Sequence, residues 1–202
     1  MSSVHREFQL LFAGHWGFRL DKSRVQRRPL DDMRPADHVE RLYDAHASAL
    51  FAFLLNLTRN EADTRDLLQE VFVKLARHPE LLAAVRDERP FLLRLAHNLA
   101  IDQMRRRRTR EKNHERLGRE SCPLFAPSDD PDEGTFRGML SDAMGELPAE
   151  QRAVLHLKLW TGLTFEEIAA MLDIPPNTAA SRYRYGLDKL RHLLRPLYDE
   201  IK

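Results

Sequence analysis

Residues Thr164 to Gly186 read TFEEIAAMLDIPPNTAASRYRYG, and this stretch decides the fold. Thr164 with Glu167 three residues later makes a capping box, so a short helix starts at Phe165 and buries Ile168, Ala169, Met171 and Leu172. Asp173 to Asn177 reads as a turn. A last helix then runs from about Thr178 through Tyr183, Leu187, Leu190 and Leu194 to about Pro196, where a helix-interior hydrogen bond is lost. A capped helix, a tight turn and a second helix bearing Ser181, Arg182 and Arg184 near its start form a helix-turn-helix. The second helix of that motif enters the major groove and points its first side chains at base edges. Arginine there can bond guanine through both arms of its fork, and Ser181 or Asn177 can bond phosphates or bases. The blander alternative is a helical hairpin with a solvated basic face; cap, turn length, basic second helix and preceding helix together favour DNA.

Working upstream, Pro148 at a helix start precedes Val154, Leu155, Leu157, Leu159 and Trp160, with Gly162 where a C-terminal cap belongs. Helical signals begin near Leu140, so a compact domain is expected over 139–202. Residues 109–138 lose periodicity, turn from basic to acidic and carry Pro123, Pro127 and Pro131, which reads as a flexible linker. Before it, three helices are expected within 38–108. In the first, capped by Asp37, Val39, Leu42, Tyr43, His46, Leu50, Phe53, Leu54 and Leu57 recur at intervals of three and four. Asn60 caps the second, whose buried side is Leu67, Leu68, Val71, Phe72 and Leu75. A short helical turn at Pro79 to Val85 follows, and Pro90 suits the first turn of the third, which runs through Leu92, Leu95, Ala96, Leu99 and Met104 into the arginines at 105–108. No strand-like alternation and no internal repeat appears. The chain therefore reads as all-α, two small helical domains joined by a linker. Residues 1–37 sustain no period and are expected to be a disordered extension; translation from Met33, or an amphipathic N-terminal arm, are the two readings of that segment.

The 202 residues are 43% hydrophobic and 31% charged, enough to bury one medium core or two small ones. Lys plus Arg (32) and Asp plus Glu (31) nearly cancel, so electrostatic function must come from placement rather than net charge. The single Cys122 excludes an intramolecular disulfide framework and makes a cysteine zinc site improbable. No apolar stretch reaches the roughly 20 residues of a membrane span. A soluble, cytoplasmic protein is expected.

Arg94, Asn98, Asp102 and Arg105 recur at three and four along the third helix, one polar stripe that can follow a phosphate backbone. Phe91 and His97 beside it can stack on unpaired bases. Taken alone, a basic helix end is more often simply solvated and favoured by the helix dipole. Asp66, Gln69 and Glu70 form an acidic and polar patch on the second helix; with no His or third carboxylate at ligand spacing, a docking or solvated surface outweighs metal or acid-base work. His46, on an apolar stripe, reads as a hydrogen-bonded core residue. No Gly-rich phosphate loop, nucleophile elbow or paired zinc-ligand motif is present, so no enzyme, cofactor or metal is expected.

Several motifs in order, DLLQEVF at 66–72, ERPFLLRLAHNLAID at 88–102 followed by arginines, LPAEQR at 147–152 and GLTFEEIA at 162–169, resemble the extracytoplasmic-function sigma factors of bacterial RNA polymerase, over about residues 38–195. The resemblance implies that Asp66, Gln69 and Glu70 dock on core RNA polymerase. It implies that the segment from about Leu82 to Phe91 and the helix after it, through Phe91, Arg94, His97, Asn98, Asp102, Arg105 and Arg106, read and melt the minus-ten element of promoter DNA. It further implies that Asn177, Thr178, Ser181, Arg182, Arg184 and Tyr185 read the minus-thirty-five element, that the acidic stretch 120–133 passes near the RNA path, and that an anti-sigma factor holds the free protein. Phe91 replaces a frequent tryptophan, Ala179-Ala180 a usual Val-Lys, and Tyr185-Gly186 stand where basic or small residues are common, so base preference cannot be transferred. Fewer charges imply weaker nonspecific phosphate binding, and Gly186 costs about 1 kcal/mol of helix stability relative to alanine. A stand-alone helix-turn-helix regulator, and less so a metal-dependent nucleic-acid enzyme using Asp66 and Glu70, are the rival readings.

Overall fold

The computed structural model describes residues 35–83, 85–111, 124 and 131–200. Seven helices are found among them: α1 (Pro35–Thr58), α2 (Glu61–Arg77), α3 (Glu88–Glu111), α4 (Pro131–Gly145), α5 (Ala149–Leu159), α6 (Phe165–Leu172) and α7 (Pro176–Glu200), with a 3-10 turn at Pro79–Leu82 between α2 and α3. The expectations for residues 1–32, and for most of the acidic stretch 120–133, fall outside the described residues.

Local chemistry sets most of the boundaries. Arg59, with φ of 57°, breaks the chain between α1 and α2, and the Asn60 side chain accepts from the Asp63 amide to cap α2. The capping box at Thr164 and Glu167 has both its bonds. Gly162, with φ of 70°, reverses the chain after α5, and the Leu163 amide donates back to Leu157 O at 3.2 Å, closing the reversal.

Five expected boundaries move. α1 starts at Pro35, which leaves Asp37 in its first turn rather than at the cap. α3 continues to Glu111. α4 begins at Pro131, inside the stretch read as linker: proline fits a first helical position, and Leu140, Ala143 and Met144 gain burial that offsets the low helix propensity of Gly134 and Gly138. α7 begins at Pro176, so the turn shortens to Asp173–Pro175, and runs through Pro196 to Glu200. A proline four residues from a helix end removes one bond near the terminus without ending the helix.

Two cores form. Leu42, Leu50, Phe53, Leu54 and Leu57 of α1 meet Leu67, Val71 and Leu75 of α2 and Leu92, Leu93, Ala96 and Ala100 of α3, all nearly or wholly buried. Leu140, Ala143 and Met144 of α4 meet Leu155 of α5 and Leu187, Leu190 and Leu194 of α7. The first core does not stop at the domain edge. It continues into Ala153, Val154 and Leu157 of α5 and Ile168, Ala169, Met171 and Leu172 of α6, with α1 packed on α5 and α3 on α6. Leu55 of α1 in turn joins the second core. At roughly 1.5–3 kcal/mol for each large aliphatic side chain buried, this shared packing holds the halves together.

Candidate polymerase and nucleic-acid interfaces

α2 turns Thr64, Leu67, Leu68, Val71, Phe72 and Leu75 inward, which by helical periodicity leaves Asp66, Gln69 and Glu70 together on the outer face, all three exposed. Val73, an exposed large apolar side chain, lies on that same face. Asp63, one turn earlier, is engaged by Arg107 of α3 at 2.5 Å, so it is not part of the open patch. Among the described residues no group of three His, Cys, Asp or Glu side chains could hold a metal ion.

α3 starts at a polar clasp. The Glu88 carboxylate accepts from both arms of Arg41 and lies 3.4 Å from His38 Nε2 and 3.8 Å from His46 Nε2, three groups of α1. Burial raises the Glu88 carboxyl, but the Arg41 and His38 bonds more than reverse this and hold it below the usual range. His46, expected as a hydrogen-bonded core residue, is part-buried beside this carboxylate; burial pushes its pKa down against the pull of Glu88. The clasp fixes the entry to α3, and the next turn carries Phe91, half-buried against the first core with the Arg94 guanidinium 5.9 Å from its ring centre. Arg94, Asn98, Asp102, Arg105 and Arg106 line the exposed side, with Asp102 3.9 Å from Arg105. His97 is different. Burial lowers its pKa first, and the charge of Arg182 on α7 lowers it further.

The helix-turn-helix is braced from α5. Lys158 Nζ donates to Leu163 O at 3.0 Å and lies 4.8 Å from the Phe165 ring centre, while Tyr183 meets that ring edge-on at 5.5 Å. Asn177, Arg184 and Tyr185 are exposed, and Thr178, Ser181 and Arg182 half-buried. Ser181 Oγ donates to Thr178 O at 3.0 Å. Tyr185, 58% exposed, lies with its ring centre 5.1 Å from the Arg184 guanidinium, an aromatic-cationic pair at the surface. Ala179, which stands where the resemblance gives a valine, is wholly buried and packs in the core, whereas Ala180, which stands for the lysine, is half-buried.

The sequence descriptions of Sigma-70 region 2 and Sigma-70, region 4 match residues 42–110 and 143–192. ECF RNA polymerase sigma factor SigL of Mycobacterium tuberculosis is 32% identical over 157 residues, covering 77% of this chain and 88% of the relative. RNA polymerase sigma factor CarQ of Myxococcus xanthus is 33% identical over 165 residues, 82% of this chain and 94% of the relative. This chain belongs to the ECF sigma factors. Its fold is similar to that of the sigma factor RpoE solved in complex with the anti-sigma factor NepR from Bartonella quintana, with a TM-score of 0.65, 22% identity and coverage of 79% of this chain and 97% of that one. As a sigma factor it directs transcription initiation by RNA polymerase.

Sequence reasoning missed four residues that shape this sigma factor: Asn56, Glu88, Arg152 and His156. Arg152 and His156 left a signal, since both fall among Ala153, Val154, Leu155 and Leu157 of α5 where every neighbour is buried. Asn56 left a similar one inside the run Phe53 to Leu57. Among the described residues no helix is long and apolar enough to cross a membrane.

Proposed function

We propose that this sigma factor binds core RNA polymerase through Asp66, Gln69 and Glu70, reads and melts the minus-ten element with Phe91, Arg94, His97, Asn98, Asp102, Arg105 and Arg106, and reads the minus-thirty-five element with Asn177, Thr178, Ser181, Arg182, Arg184 and Tyr185. The observation that carries the reading is the exposed patch on α2: opposite its buried side, Asp66, Gln69 and Glu70 stand together with the exposed apolar Val73, a mix suited to a protein-docking face. The bases of the melted strand lose a few kcal/mol of stacking, which Phe91 offsets once its ring is offered to DNA, while Arg94, Asn98 and Arg105 hold phosphates. Asp102 tempers the charge of Arg105, so the stripe guides the strand instead of gripping it uniformly.

The protein acts without catalytic residues of its own and works in the cytoplasm, where core polymerase is found. The likeness to a sigma factor solved with an anti-sigma factor supports the proposal that this chain too has a sequestering protein partner. The deciding experiment mixes the purified chain with sigma-free cognate core polymerase and maps transcription starts on genomic DNA from its source. Discrete new starts sharing two upstream elements are expected. Failure to associate with core would favour a free-standing helix-turn-helix regulator.

A further inference from the structure

The first turn of α3 is gripped by charge more than by apolar packing. Leu92 and Leu93, both almost wholly buried, fix the helix from its second turn onward, whereas Glu88, Arg89 and Pro90 before them are only part-buried. What holds that turn is the Glu88 carboxylate. Arg41 of α1 closes on it with both arms of its fork, Nη1 donating to Oε2 at 3.2 Å and Nη2 to Oε1, a bidentate geometry that fixes orientation as well as distance. His38 Nε2 and His46 Nε2 approach from the same helix at 3.4 Å and 3.8 Å. Just upstream, Asp87 Oδ1 accepts from the Arg89 amide at 3.2 Å, as an N-cap side chain does.

The ion pair adds little to stability. The Arg41 and Glu88 side chains are 36% and 26% exposed, and a pair that open to water is screened, while α1 and α3 are already joined through Leu42, Leu92, Leu93 and Ala96. Its consequence is geometric. Phe91 stands three residues after Glu88, on the same side of α3, with its ring half-buried at the edge of the core and the Arg94 guanidinium 5.9 Å from the ring centre. A rotation of the first turn moves that ring into the core or out of it. Glu88 also neutralises Arg41 within one turn of the ring, beside the exposed stripe of Arg94, Asn98 and Arg105.

We propose that Glu88, held by Arg41, is a positioning residue for minus-ten reading: the bidentate bond sets the angle at which Phe91 and Arg94 meet the melted strand, and it keeps the Arg41 charge from gripping DNA of any sequence. Its part in reading rests on the minus-ten role given above to Phe91 and Arg94. A residue that merely stabilised the fold would, when removed, weaken binding to all promoters alike. Release of Arg41 acts differently. A freed guanidinium adds a phosphate contact, which strengthens binding and carries no sequence information, while an unheld first turn presents Phe91 at a range of angles and blurs base discrimination. Removal of Glu88 therefore raises affinity for DNA in general and lowers selectivity at the minus-ten element, two effects of opposite sign from one side chain.

The test uses holoenzyme reconstituted from the full chain and sigma-free cognate core polymerase, transcribing a library of promoter fragments randomised across the minus-ten element. Glu88→Ala and Arg41→Ala, on different helices, should each lower the preference for the parent's best minus-ten sequences about fivefold, and the double variant should lower it no further, since both remove one bond. Preference at the minus-thirty-five element and the urea midpoint of the full chain should match the parent in all three. The full chain alone should bind a duplex of random sequence about threefold more tightly as Glu88→Ala, a gain that adding Arg41→Ala abolishes. Should Glu88→Ala not fold, Arg41→Ala carries the selectivity prediction from the other helix. Selectivity lost in Glu88→Ala but kept in Arg41→Ala would mean that Glu88 meets DNA by itself and would overturn the positioning role, as would additive losses or weaker binding to every template. A parent holoenzyme without minus-ten preference would defeat the proposed function and this inference with it; a parent that discriminates beside variants that discriminate equally well would overturn the inference alone.

Discussion

Among the described residues, His156 is the histidine whose pKa lies furthest from its ordinary value. Buried between Phe53 and Trp160, whose ring stacks on it at 5.2 Å, its pKa falls from 6.5 to about 3, first through burial and then through Arg89. A folded-state value below the unfolded one means that the neutral ring contributes stability in full above pH 6.5, and that this is lost as pH falls toward 3, at up to about 1.4 kcal/mol per pH unit. Urea midpoints measured from pH 7 to 5 should therefore decline less steeply for His156→Phe than for the parent; parallel curves would contradict the assignment. Arg152 predicts a larger effect. Truncation to alanine leaves three carbonyls without their charged donor, and should cost about 3–5 kcal/mol in equilibrium unfolding. Neither residue is distinguishable from an ordinary helix position by type alone. Only the burial of every neighbour on α5 marks them.

Among the elements, α7 shows how packing can override propensity. Gly186 looks like a defect in a helix, yet a Cβ there would come within 2.8 Å of Leu155 Cδ1 and 3.4 Å of Gln151 Cβ on α5. The glycine lets α5 and α7 approach closely, and Leu155 is wholly buried with little room to yield. Gly186→Ala should therefore lower the melting temperature despite a helix-propensity gain of about 1 kcal/mol, because overpacking costs about 1–3 kcal/mol. A raised melting temperature would show that Leu155 repacks freely. α2 offers the contrasting case, a helix whose outer face has no structural duty. Asp66→Ala with Glu70→Ala should weaken association with core polymerase at least tenfold while leaving the unfolding midpoint within about 0.5 kcal/mol of the parent. The capped starts of α2 and α6 were legible in the sequence because a cap is a contact between residues three apart. The early start of α4 and the extension of α7 past Pro196 were not, since tertiary burial and a terminal position outweighed local signals.

On the scale of the whole molecule, the proposed DNA reading is divided between α3 and the helix-turn-helix, which predicts separable defects. Arg182→Ala and Arg184→Ala should reduce discrimination between matched and mismatched upstream elements by about 1–3 kcal/mol per lost base contact. Asn98→Ala should instead slow duplex opening more than it weakens the closed complex. Binding competition on mutated promoters, and permanganate reactivity of the melted strand, would tell the two apart; equal loss on matched and mismatched promoters would refute the specificity assignment. The arrangement of the halves also sets the protonation of His97, whose neutral form is favoured by burial and by Arg182.

The sequence by itself determined the all-helical class, the two regions, the capping box, the helix-turn-helix and the polar faces of α2, α3 and α7, because each depends on periodicity or on contacts a few residues apart. The tertiary structure alone decided that one core continues from α1 and α3 into α5 and α6, that Arg152 joins carbonyls up to 95 residues away, and that His97 and Arg182 share one environment. Such contacts depend on which surfaces of complete helices fit together. A helical period shows that a face is apolar, but both halves present apolar faces, and periodicity carries no information about which partner covers them.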